Sequence, residues 1–211
     1  MKVITFKKTL NLHKYSLKAE KILTNRKITI PVFLSILGVF TGCYFSKGEG
    51  MLSEKVISVF LNAFMTGDNI SILTEFLRYL LIPSVFAAVE FFLGLSLFGA
   101  IAANAVPFGF SVITGIISYF LYKTYLLKGL AYCVILIFPY AVVSIIGMVF
   151  CCRESVNMSE FLLSNVTKSK KYIDYNFSMY CKSFFKGYIF ILIAAGVKAV
   201  IDYLFIGLFN F

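Results

Sequence analysis

The residues that could do chemistry are few, and each is set in apolar sequence. Glu90 is a carboxyl with about ten apolar residues on either side. A charged carboxylate at that depth in lipid is costly, so the group must hold a proton, pair with another group or face water. It fits either a polar site inside a helical bundle or a neutral acid bonded to a neighbouring helix. Lys198 and Asp202 stand four residues apart, which puts them on one helical face and permits an ion pair. In an apolar setting the pair is cheaper than either charge alone, which favours a structural role over transport. Asn104 and Pro107 interrupt one apolar run and Pro139 lies inside another. Non-helical backbone at membrane depth needs protein around it, and an interior proline frees a carbonyl and kinks a helix.

No nucleophile–base pair, metal-ligand cluster or phosphate-binding loop can be read from the residue order. The five cysteines contain no Cys-x-x-Cys pair and His13 is the only histidine, so neither a disulfide framework nor a zinc site is expected. The expectation is a protein that is not an enzyme and carries no cofactor or metal.

The elements that must position these residues are membrane helices. Sixty per cent of the 211 residues are hydrophobic and the mean hydropathy is +0.88, against about 45–50% apolar residues in soluble domains. The apolar runs do not alternate, which disfavours a barrel. The reading is an all-α polytopic bundle of about five spans, over residues 28–45, 76–103, 108–122, 130–152 and 184–209. Residues 1–27 form a basic cytoplasmic tail and 28–211 one membrane domain. The segment from Met51 to Met65 repeats apolar residues at helical spacing and reads as an amphipathic helix. Small residues at Gly38, Gly42, Gly94, Gly99, Gly109 and Gly115 mark faces for close helix contact.

Fourteen of the twenty basic residues lie either before the first span or between Arg153 and Lys186. Basic loops stay in the cytoplasm, so the N-terminus is expected inside and the C-terminus outside a plasma membrane. The loop from Arg153 to Ser183 reads as an amphipathic segment on the inner surface, with Lys168, Lys170 and Lys171 meeting anionic lipid. No aromatic-interleaved basic face accompanies the charge, which argues against nucleic acid as a partner.

The stretch Phe91-Phe92-Leu93-Gly94-Leu95-Ser96-Leu97-Phe98-Gly99, followed by Gly109-Phe110, Gly115, Lys128-Gly129 and Pro139-Tyr140, resembles the stage II sporulation protein M family. There, as here, a basic tail precedes five spans. The family often has a basic residue before the Gly-Phe pair and a polar residue after the span-four proline, where this chain has Phe108 and Tyr140. The resemblance implies an integral membrane protein of spore-forming bacteria that anchors peptidoglycan-degrading enzymes at the septum during engulfment. Its partners would be a lytic transglycosylase and an amidase or endopeptidase, and self-association into a homo-oligomer stays open. The competing reading is a small transporter or channel subunit with its polar site at Glu90.

Overall fold

Runs of apolar sequence long enough to cross lipid can satisfy their own backbone groups only as helix, which is the structure they adopt. The computed structural model describes residues 26–47, 71–167 and 175–205, and no strand occurs among them. In chain order the helices are α1 (Arg26–Phe45), α2 (Ile72–Gly94), the single turn α3 (Gly99–Ala102), α4 (Ala105–Tyr132), α5 (Phe138–Val166) and α6 (Phe177–Phe205). A π-turn over Cys133–Ile137 joins α4 to α5. Four helical stretches are long and apolar enough to cross a membrane, the longest running from Gly99 to Val166. Large apolar side chains such as Phe33, Phe40, Leu81, Phe92 and Phe185 stand exposed on them. These features are compatible with a membrane protein, in which lipid covers such faces.

The longest stretch is not one rod. Leu126 has φ 48° and ψ −124°, the sole described non-glycine residue with positive φ, and that backbone reverses the chain. The Cys133 thiol consequently reaches the carbonyl of Ser118 at 3.8 Å, fifteen residues away in sequence. A straight helix would separate them by about 22 Å. Gly129 packs so closely on the Leu121 carbonyl that a Cβ has no room. The expected turn over residues 123–129 is thus made at Leu126, where two helices meet across a sharp kink.

The helix ends differ from those expected from hydropathy. Span two was expected to run to Ala103, but α2 stops at Gly94. The amides of Leu95 and Ser96 fold back to the carbonyls of Phe92 and Leu93, and the Ser96 hydroxyl also bonds to Leu93. Residues 95–104 then form a short connector around α3. Ser159 of α5 holds it, donating to the Ser96 carbonyl at 2.8 Å and accepting from the Ala100 amide at 2.9 Å. Span four was expected to end at Cys152, yet α5 continues to Val166 because Ser155 and Ser159 are buried against α2 and the connector. The first half of the expected surface loop is therefore helix. The tail before Arg26, the segment 51–65 and Lys168, Lys170 and Lys171 lie outside the described residues.

The core forms where α2, α5 and α6 meet, filled by Tyr79, Tyr140, Tyr180, Met148 and Ile191. The α5–α6 seam closes on glycines: a Cβ on Gly147 would stand 3.0 Å from the Gly187 carbonyl, and one on Gly187 3.0 Å from the Cys151 amide. On the far side α1 lies along α4. A Cβ on Gly38 would be 2.7 Å from the Phe108 carbonyl, Gly42 abuts the Val112 carbonyl, and Gly115 abuts that of Val39. The rising register, Gly38 with Phe108 and Gly42 with Val112, makes these two helices parallel.

Candidate functional site: two buried polar clusters

The ionisable acids and lysines buried inside the bundle collect at its two ends. At one end α1, α4 and α6 begin and α2 and α5 finish. Lys27 Nζ bonds Glu160 at 2.7 Å and the Asn157 side-chain oxygen at 2.8 Å, pinning the start of α1 to the last turns of α5. Tyr175 donates to Glu154 at 3.0 Å. Burial, and secondarily the Glu154 carboxylate, push its phenol above the usual range.

Glu90 lies at this end, one turn before α2 finishes, rather than at mid-helix as the flanking hydropathy indicates. It is fully buried. Among the described residues no N–H or O–H donor reaches either carboxyl oxygen, and the polar neighbour facing it is the Cys152 thiol. Cys152 also meets Asn104 Oδ1 at 3.7 Å. The hydroxyls nearby serve the backbone instead: Ser155 donates to the Glu90 carbonyl at 2.9 Å and Tyr180 to the Phe91 carbonyl at 2.9 Å. Phe91 needs that donor because the Leu95 amide turns to Phe92. Gly94 admits the approach, since a Cβ there would stand 2.5 Å from the Tyr180 hydroxyl. Gly99 likewise folds tightly on the Leu93 carbonyl, whereas Gly109 is less constrained, a Cβ meeting only the Phe86 ring at 3.4 Å.

Asn104 precedes α4 and its side-chain amide closes the connector by donating to the Ala100 carbonyl at 2.9 Å. Pro107 is the third residue of α4, where no intrahelical amide bond is lost.

At the opposite end Lys198 and Asp202 form an ion pair at 2.9 Å, both side chains almost wholly buried. The ammonium lies 4.3 Å from the Tyr79 ring centre and 5.9 Å from that of Tyr132, a cation–π enclosure. Buried Glu75 stands nearby and pairs with Arg78 at 3.3 Å. Two acids and two bases therefore share this end, all but Arg78 being buried. Nothing in a single sequence registers one helix against another, so the grouping of Glu75, Tyr79 and Tyr132 around the ion pair is visible only in the folded chain.

Pro83 lies inside α2. It has no amide to give the Tyr79 carbonyl four residues back. The Tyr140 hydroxyl of α5 donates to that same carbonyl at 2.7 Å. Pro139, next to Tyr140, is accommodated without an α-helical break: the preceding turn widens to π, with the Phe138 amide bonded to Cys133.

No protein-family model, curated protein or solved structure matches the chain. The sporulation-protein resemblance therefore rests on its residues alone.

Proposed function

We propose that this chain is a non-catalytic integral membrane scaffold with five crossings, the hairpin at Leu126 dividing the longest helical stretch into two. In this reading the end carrying Lys27, Glu160 and the starts of α4 and α6 faces the cytoplasm, and Leu126 faces outside. The observation that supports a scaffold best is how the buried polar groups are used. Lys198 is paired with Asp202, Ser155 and Tyr180 cap backbone carbonyls, and Glu90 is enclosed between helices. The two hydroxyl bonds tie α5 and α6 to the end of α2, while the charges are paired within α6 or enclosed rather than open to water. A carrier would instead expose Glu90 to a water-filled path, and the groove between α2 and α6 does not include Glu90 in its walls.

The resemblance supplies the partners of this proposal: a lytic transglycosylase and an amidase or endopeptidase, recruited outside the septal membrane of a spore-forming bacterium. The test is co-purification of crosslinked, tagged full-length protein from sporulating cells. Enrichment of peptidoglycan hydrolases, retained with Glu90→Gln, is expected. Their absence, together with Glu90-dependent proton-coupled uptake in vesicles, would replace the scaffold with a carrier.

A further inference from the structure

Between α2 and α6 runs an open furrow of about 400 Å³ with walls that are almost entirely apolar. It exists because α2 offers the small residues Ala87 and Ala88 where α6 offers Phe184, Phe185 and Tyr188, so the backbones are held apart at that face. The two helices are antiparallel, and the furrow runs from Phe92 and Cys181 near the basic end to Ser84 and Tyr188 deeper in. Its deep end is marked by a bond of 2.8 Å between the Ser84 and Tyr188 hydroxyls. The seven helical steps from Cys181 to Tyr188 cover about 10 Å, a depth that fits within one leaflet of a hydrocarbon core about 30 Å thick.

Charge decides what belongs there. Lys182 and Lys186 are exposed on α6 next to the furrow-lining Cys181 and Phe185. Side chains on a helix tilt toward its N-terminus, which for α6 is the basic end, so both ammonium groups lean toward the headgroup layer. The one acid of α2 at this depth, Glu90, is turned inward and enclosed. An apolar channel one leaflet deep, flanked on α6 by exposed Lys182 at its shallow end and exposed Lys186 one turn deeper, with no exposed acid of α2 beside them, is complementary to one amphiphile class.

We propose that this furrow binds an anionic phospholipid, with an acyl chain lying against Ala87 and Ala88 and the headgroup phosphate between Lys182 and Lys186. The site rests on the chain being a membrane protein with this end at a headgroup layer, and is independent of whether it recruits hydrolases.

The test uses full-length protein in mild detergent, equilibrated with equal amounts of phosphatidylglycerol and phosphatidylcholine, with retained lipid read by native mass spectrometry. One phosphatidylglycerol is expected to be kept preferentially. Retention should fall about tenfold in the double variant Lys182→Gln, Lys186→Gln, and comparably in Ala88→Phe, whose side chain fills the furrow from an exposed position. The triple variant Lys168→Gln, Lys170→Gln, Lys171→Gln should retain the lipid, which separates this site from the basic loop. Equal retention of phosphatidylcholine, or phosphatidylglycerol binding unchanged in the double variant and in Ala88→Phe, overturns the proposal. Micelles have no sidedness, so a wrong membrane orientation would leave this result standing and would show only in topology measurements.

Discussion

Pro83 and Tyr140 answer each other across the bundle, the proline withholding an amide from the Tyr79 carbonyl and the tyrosine supplying a hydroxyl. Tyr140→Phe should therefore cost about 1–3 kcal/mol, the penalty of an orphaned buried carbonyl. In a Pro83→Ala background the alanine amide can satisfy Tyr79, and the same substitution should cost clearly less. A double-mutant cycle of unfolding in detergent checks this, and equal costs in both backgrounds would contradict the coupling. Lys198→Ala strands Asp202 in the core and should destabilise by about 3–5 kcal/mol, whereas replacing both with Met and Leu should cost far less. The spacing of Lys198 and Asp202 and the apolar setting of Glu90 could be read in the chain because they are local. The donor to Tyr79, the tyrosines around Lys198 and the thiol facing Glu90 come from other helices, and no local pattern carries that register.

Glycine seams set how closely the helices approach, and they are not equivalent. Gly42 abuts the Val112 backbone and Gly147 the Gly187 backbone, neither of which can yield. Gly42→Leu and Gly147→Leu should each destabilise by at least the 1–3 kcal/mol typical of overpacking. Gly109→Ala meets only an aromatic side chain at ordinary distance, and should be neutral or stabilising by up to about 1 kcal/mol through helix propensity. Thermal unfolding of the three variants in one detergent compares them directly. Gly38 and Gly42 stand out in sequence as a four-residue repeat of small residues. Gly147 and Gly187 lie on different helices and pair only after folding. Helix ends were least legible, because hydropathy continues through residues 95–104 while Ser159, from another helix, turns the backbone there.

The molecule as a whole is ordered by its ends. One carries the Lys27–Glu160 pair, Tyr175 with Glu154 and the enclosed Glu90. The other carries the Leu126 reversal and the Lys198–Asp202 pair. Exposed aromatics such as Phe33, Phe40, Phe92 and Phe185 clothe the helices, and in the proposed topology the basic flanks of the first end would lie in the cytoplasm. Alternation of the two ends along the chain depends on Leu126, since without that reversal α4 and α5 would cross once. The most direct measurement is a set of paired topology reporters fused after residues 14, 60, 126 and 170 of the full-length protein in bacterial cells. Residues 14 and 170 are expected to report inside, and 60 and 126 outside. A reporter at 126 on the same side as 170, or 14 and 170 on opposite sides, would contradict five crossings.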